Sequence, residues 1–420
     1  MRRALTAGGA SLAIGGFFII KIASGLFLLK LSAAWLSVAD FGIFAQFLLL
    51  GALITTIAVA GAQNGIVRQV AAGDEFILRR AVSAGFLLWS VTLALVIALA
   101  TLFAAHISVA LTGSPHLALT VPAVAIAAML SGPGQIACSA LTGLGHTRAS
   151  LGAQAAGLLA STAAAAILIA RGQAAAAAVA FYAGALVTAP IAWPMLRAIV
   201  PNLMLRHAGA RAEARHLLGF GAALVSVAGS SALILFGLRY AYLQATDPRQ
   251  LGYWLVAQRI SDTSTQLLGL FMMQYFVPAY AAAPVPSRRG VVWRSWLLGS
   301  AAMLVLLLAF AAAPRLWVPL LLSSAYLPAV GMILVYMAGD MLRTSASLAM
   351  HSALAESRIV TFAAIEIATM TLMAVITLVL IAARQPLAPA LGYLLAYLGA
   401  ALVIAVVVVI RRRRRALAPV

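Results

Sequence analysis

AVSAGFLLWSVTLALVIALATLFA, residues 81–104, follows the pair Arg79-Arg80 and holds no ionisable side chain. As a helix rising 1.5 Å per residue it would run about 36 Å, and about 20 apolar residues suffice to cross the hydrocarbon core of a bilayer. Working outward by that measure predicts twelve spans, at roughly 6–33, 40–62, 81–104, 117–142, 149–170, 174–196, 217–243, 251–280, 295–313, 326–352, 359–383 and 389–410. Composition agrees. Hydrophobic residues make up 64% of the chain, charged residues 9%, and the mean hydropathy is +1.06. A soluble protein carries about 25% charged residues, so the solvent of this chain is largely lipid. The net charge of +19 would suggest a nucleic-acid partner in a soluble chain. Here the basic residues are dispersed between apolar runs, as topology signals and contacts to anionic head groups are, and no nucleic acid is expected. Cys138 is the one cysteine and lies in an apolar run, so there is no disulfide framework. Met1-Arg2-Arg3 resembles the start of a signal peptide, but the apolar stretch behind it is too long and carries Lys21 and Lys30. It reads as an uncleaved first span.

Charge orients the spans. With the N-terminus inside, the cytoplasmic segments hold Arg2, Arg3, Arg68, Arg79, Arg80, Arg148, Arg197, Arg206, Arg211, Arg215, Arg288, Arg289, Arg294, Arg358 and Arg411 to Arg415, nineteen in all. The opposite segments hold four: Arg171, Arg249, Arg315 and Arg384. That asymmetry predicts both termini in the cytoplasm, which requires an even number of spans. The longest connection, about 197–216, is basic and parts six spans from six. It predicts two six-helix lobes, 1–204 and 205–420, related as a parallel repeat about an axis along the membrane normal. This duplication rests on counting spans, and no loop is long enough for a separate soluble domain.

The absent chemistry narrows the function. The two lysines are followed by Ile22 and Leu31, so no Walker A phosphate loop exists. No HExxH occurs, no serine sits in G-x-S-x-G, and a lone cysteine excludes Cys-rich zinc sites. An enzyme is disfavoured, and no catalytic residue, metal ligand or cofactor is expected. Transport remains.

Eight ionisable residues fall inside the predicted spans: Lys21, Lys30, Arg239, Arg259, Asp262, Asp340, Arg343 and Glu366. Each costs roughly 2.5–3.5 kcal/mol or more at a helix centre unless it faces a partner or an aqueous cavity. Most should therefore share one interior. Arg259 with Asp262, and Asp340 with Arg343, are spaced i, i+3 and can neutralise themselves. Lys30 and Arg239 lie within a turn of the outer ends of spans 1 and 7, where long side chains snorkel. Equivalent placement in the two lobes would set these two cations at one height, which suits an anionic ligand. Lys21 is mid-span with no acidic residue near it in sequence. Nine residues separate Lys21 from Lys30, so both face one cavity only if the helix bends, and Gly25 lies between them. Glu366 has no evident partner. Pro122, Pro133 and Pro278 fall inside spans and predict kinks. The run Arg411 to Arg415 reads as a topology anchor that also suits anionic head groups.

Several short stretches occur in an order that carries a resemblance: Lys21-Ile22-Ala23-Ser24-Gly25-Leu26 with Lys30-Leu31, Asn64-Gly65-Ile66-Val67-Arg68 leading to Val70-Ala71, and Ile260-Ser261-Asp262. Leu320-Leu321-Leu322-Ser323-Ser324, Gly339-Asp340-Met341-Leu342-Arg343 and Ala363-Ala364-Ile365-Glu366 follow. In these the chain resembles the bacterial polysaccharide flippases of the MOP superfamily, the O-antigen and enterobacterial-common-antigen translocases Wzx and WzxE. The resemblance implies twelve helices in two six-helix lobes. It also implies movement of an undecaprenyl-diphosphate-linked oligosaccharide from the cytoplasmic to the periplasmic leaflet of the bacterial inner membrane. A glycan polymerase and a chain-length regulator join the expected partners, beside membrane lipids. Lys21, Lys30, Asp262, Asp340 and Glu366 match charged positions of the family pattern.

The expectation is an alternating-access flippase for surface polysaccharide assembly. Lys21, Lys30, Arg239 and Arg259 would contact the head group, and Asp262, Asp340, Arg343 and Glu366 would couple an ion or compensate charge. A cation-coupled exporter of small organic molecules, like the MATE transporters of the same superfamily, is the alternative. Its cavity would be dominated by carboxylates and aromatics, whereas five cations face three acids here. A scaffold or a glycan polymerase is a third class, and a polymerase usually carries a large external loop that this chain lacks.

Overall fold

The computed structural model describes residues 2–59, 62–72, 75–201, 209–284, 286–356 and 358–417. Among the described residues, all regular structure is helical. The helices run α1 (Arg2–Trp35), α2 (Val38–Ile57), α3 (Gln63–Ala72), α4 (Glu75–Leu102), α5 (Ala104–Thr112), α6 (Thr120–Met129), α7 (Gly132–Gly143), α8 (Thr147–Ile169) and α9 (Ala174–Gly184). They continue as α10 (Thr188–Ile199), α11 (Ala210–Ala245), α12 (Pro248–Phe271), α13 (Val277–Ala282), α14 (Arg288–Ala312), α15 (Pro314–Leu321), α16 (Val330–Ala355), α17 (Ile359–Ala382) and α18 (Ala388–Leu417).

Eleven helical segments among the described residues are long and apolar enough to cross a membrane. The expected span 251–280 is not among them. It is helical throughout, as α12, a π-turn over Met272–Phe276 and α13, but it carries Gln258, Arg259 and Asp262 and so is too polar to qualify by composition.

The helix ends follow from local chemistry. Ser37 starts α2, its Oγ accepting from the amide of Asp40 at 3.1 Å while donating to the Asp40 carboxylate at 2.7 Å. Asp247 starts α12 by accepting from the amides of Arg249 and Gln250 at 2.7 and 2.9 Å, with Pro248 in the first turn, where a missing N–H costs nothing. Gly145 ends α7 at φ 82°, which lets the His146 amide reach back to the Leu141 carbonyl at 2.8 Å. The expected kinks at Pro133 and Pro278 lie where helices change: α6 gives way to α7 just before Pro133, and Pro278 follows the π-turn. Pro122 lies in the first turn of α6.

The chain divides into two compact units, Met1–Ala232 and Leu233–Val420, the division falling inside α11. In the first, small residues let helices approach closely. A Cβ on Gly184 would come within 2.3 Å of the Ser161 Cα, and one on Gly51 within 2.0 Å of the Tyr182 ring. Tyr182 also donates to the Leu48 carbonyl at 2.5 Å, so α9 is pinned to α2. Uncharged polar side chains meet within its largely apolar interior. Gln63 donates to Gln135, which in turn donates to Ser131 Oγ at 2.7 Å. In the second unit α16 packs against α12, α14, α17 and α18. Leu268, Met272, Phe276, Tyr280, Met303 and Leu348 form one hydrophobic cluster of its core.

Candidate functional site

Three helices of the second unit present polar faces to one another. On α12, Trp254, Gln258 and Ser261 fall at i, i+4 and i+7. On α16, Tyr336, Asp340 and Arg343 repeat that spacing, and on α18 Tyr393 and Tyr397 are four apart. Such spacings stack side chains on one side of a helix. Ser261 Oγ donates to Asp340 Oδ1 at 2.7 Å, and the Tyr393 hydroxyl donates to the same oxygen at 2.7 Å. The Tyr393 oxygen accepts from Arg343 Nη1 at 3.2 Å, and the Arg343 guanidinium lies 5.4 Å from the Tyr397 ring centroid. Trp254 Nε1 donates to the Tyr336 hydroxyl at 2.6 Å, and the Tyr336 ring leans on Tyr393 with centroids 4.8 Å apart. Arg239, near the end of α11, donates to Gln258 Oε1 at 2.8 Å. Gly339 makes room for this arrangement, because a Cβ there would meet Tyr393 Cδ1 at 2.5 Å.

The network is dry. Asp340 and Arg239 are 1% and 5% exposed, and Asp340 Oδ2 accepts no hydrogen bond among the described residues. Burial of a carboxylate is tolerated only with compensating donors and charge, since an isolated ion costs several kcal/mol to desolvate. Asp340 takes two hydroxyl donors, and Asp262 lies in the field of Arg259, Arg343 and Arg239. Glu366 on α17 lies in the field of Arg343. Three cations and three acids thus gather in one unit.

Six of the eight charges expected inside the spans are therefore close together: Arg239, Arg259, Asp262, Asp340, Arg343 and Glu366. Lys21 and Lys30 belong to the first unit, on α1, which packs on α8, and both are exposed. The expected i, i+3 pairing of Asp340 with Arg343 takes an indirect form. Among the described residues the two make no ion pair, and the Tyr393 hydroxyl stands between them. Glu366, which had no partner evident in the sequence, lies in the field of Arg343. The Arg411 to Arg415 side chains lie outside what the structure describes.

Sequence reasoning missed the aromatic members, Trp254, Tyr336, Tyr393 and Tyr397. Aromatics inside spans are common and usually pack against lipid or core. The available signal was their register with the charges: Tyr336 is one turn before Asp340, and Trp254 is one turn before Gln258.

Helical structure throughout the described residues, with eleven segments long and apolar enough to cross a bilayer, defines a multi-pass membrane protein. Among solved structures, the lipid II flippase MurJ in an inward closed conformation superposes with a TM-score of 0.73 at 13% identity, over 95% of this chain and 87% of that one. An inward-facing multidrug resistance MATE transporter of the MOP superfamily gives 0.72 at 12% identity, covering 94% and 96%. An outward-facing multidrug resistance MATE transporter of the MOP superfamily gives 0.65 at 12% identity over 94% and 93%. The chain has the fold of the MOP superfamily transporters. No protein-family model matches the sequence. No curated protein matches it either.

Proposed function

We propose that this protein is a flippase. It carries an undecaprenyl-diphosphate-linked oligosaccharide from the cytoplasmic to the periplasmic leaflet of the bacterial inner membrane by alternating access, for surface polysaccharide assembly. The observation that carries the reading is the placement of Lys21 and Lys30. Both occupy exposed positions on α1, a span without an acidic residue. Positive charge held at membrane depth on an exposed face suits a transient anion, and a diphosphate is the anion that a lipid-linked sugar presents. The fold supports this, because a lipid II flippase shares it. Arg239 and Arg259 would add to the head-group field, and Asp262, Asp340, Arg343 and Glu366 would couple an ion or compensate charge. The twelve spans, the N-in/C-in orientation and lobes of 1–204 and 205–420 belong to the same proposal, as do a polymerase and a chain-length regulator as partners.

One observation favours the cation-coupled exporter of small organic molecules. The carboxylate Asp340 sits among Tyr336, Tyr393 and Tyr397, a setting that would also serve an organic cation. Reconstitution separates the two. Proteoliposomes holding the purified protein should expose a polyprenyl-diphosphate oligosaccharide to an external lectin, and should not take up an organic cation along a proton or sodium gradient. The opposite pair of results would transfer the function to the exporter.

A further inference from the structure

The start of α14 combines arginines with an exposed indole. Within seven residues it carries Arg288, Arg289, Trp293 and Arg294. Arg288 turns inward, 3.6 Å from Glu356, which also meets Arg358 at 3.4 Å and accepts from the Tyr280 hydroxyl at 2.9 Å. Arg289 and Arg294 point outward and are exposed. Between them stands Trp293, 61% exposed, which is a large area for an indole.

That ring is held in place. Trp296 donates its Nε1 to Ser345 Oγ on α16 at 2.9 Å, and Trp293 stacks on Trp296 with centroids 5.1 Å apart and planes 20° apart. The exposed tryptophan is therefore a fixed platform, pinned through its neighbour to the helix behind. Beyond it the same side of α14 is exposed and apolar through Leu297, Leu298, Leu304, Val305 and Leu308. At 100° per residue these positions and the two arginines fall within an arc of about 180°. Along the axis the order is guanidinium, indole, hydrocarbon, with Val305 about 24 Å beyond Arg289. It is the order of layers in one leaflet: charged head group, interface, acyl chain.

We infer that Arg289, Trp293 and Arg294 form a binding site for the head group of an anionic phospholipid. Its phosphate is held by the two guanidinium groups and its glycerol region lies on the Trp293 face. Arginine matches phosphate in shape as well as charge, and a rigid ring beneath it lowers the entropy lost when the lipid is ordered. The site concerns bulk lipid and stands whether or not the translocated substrate is a lipid-linked sugar.

The test uses the intact protein in nanodiscs of phosphatidylcholine with increasing phosphatidylglycerol, with retained lipid counted by native mass spectrometry. Phosphatidylglycerol should be retained preferentially. A basic residue near a membrane surface contributes roughly a fivefold preference, so Arg289→Ala or Arg294→Ala should each reduce retention about fivefold, and the pair by on the order of twentyfold. Trp293→Ala should also reduce it, and Arg289→Lys should keep most of it. Arg249→Ala, which removes an exposed arginine next to the start of α12, should leave retention unchanged. Unaltered retention in the Arg289/Arg294 double variant would overturn the inference. So would an equal loss in Arg249→Ala, which would show net charge rather than a site.

Discussion

Asp340 and Arg343 lie one turn apart on α16, yet they meet through a third side chain, each bonded to the hydroxyl of Tyr393 on α18. The phenol donates to the carboxylate and accepts from the guanidinium, so both of its hydrogen-bonding capacities are used. Tyr393→Phe keeps the ring and removes both bonds. Bonds to charged groups contribute about 1.5–3 kcal/mol each, and Asp340 retains Ser261 as a donor. We expect the variant to lose about 2–3 kcal/mol, read as a lower Tm of the purified protein in detergent. A Tm equal to the parent would mean that the hydroxyl contributes nothing.

The same relationship predicts how the charges couple. Asp340→Asn with Arg343→Gln should retain more transport than either single change, because removing one partner leaves the other ion buried, at roughly 3–5 kcal/mol. The rescue should shrink in a Tyr393→Phe background, since that hydroxyl carries the contact. A double variant as inactive as Asp340→Asn alone would instead give the aspartate a direct part in ion coupling or ligand contact.

Gly339→Ala should reproduce much of the Tyr393 defect without touching a polar group. The new Cβ would lie 2.5 Å from the Tyr393 ring and force α16 and α18 apart or the ring aside. Overpacking of this kind costs about 1–3 kcal/mol. Gly331→Ala, on the same helix with nothing within 4 Å of its Cβ, is the control and should leave Tm unchanged or raise it.

The spans were legible because crossing a bilayer demands a run of about 20 apolar residues, and such a run shows in one dimension. The stretch 251–280 is helical as expected, but Gln258, Arg259 and Asp262 take α12 out of the apolar class. The interruption before Pro133 was legible for a similar reason, since proline removes a helical hydrogen bond wherever it falls. The company that the charges keep was not. Asp340 and Tyr393 are 53 residues apart, and Ser261 and Asp340 are 79 apart. Only helix packing decides which face meets which. Seen along α16, Asp340 and Arg343 look like a self-contained pair, and nothing local shows that a tyrosine from α18 divides them.

Reporter fusions decide the status of α12. A fusion at Pro248 should report the periplasm and one at Arg288 the cytoplasm, because the nineteen-to-four arginine split predicts a crossing by α12 and α13 between them. Fusions after Arg68 and at Gln385 fix the frame as cytoplasmic and periplasmic. Finding the Pro248 and Arg288 fusions on one side would remove this span, leave an odd number, and separate the two termini.

Lys21 gives the sharpest test of the substrate. It lies fourteen residues before the end of α1 at Trp35, about 21 Å at the helical rise, within the segment Ile14–Trp35 that is long and apolar enough to cross a membrane. Its side chain is exposed. An ammonium facing hydrocarbon there would cost roughly 2.5–3.5 kcal/mol or more, so the exposed face should border water or a passing anion. If that anion is a diphosphate, Lys21→Ala should abolish complementation of a flippase-deficient strain while the protein still inserts and accumulates. Lys21→Arg should keep partial activity, because the charge survives on a head of different shape. Lys21→Glu should be inactive, since it sets like charge against the phosphates. Organic-cation export by the Lys21→Glu variant, with no glycan transport by the parent, would instead favour the exporter. Near-normal glycan transport by the Ala or Glu variant at equal abundance would remove Lys21 from the pathway and leave it a residue of packing or topology.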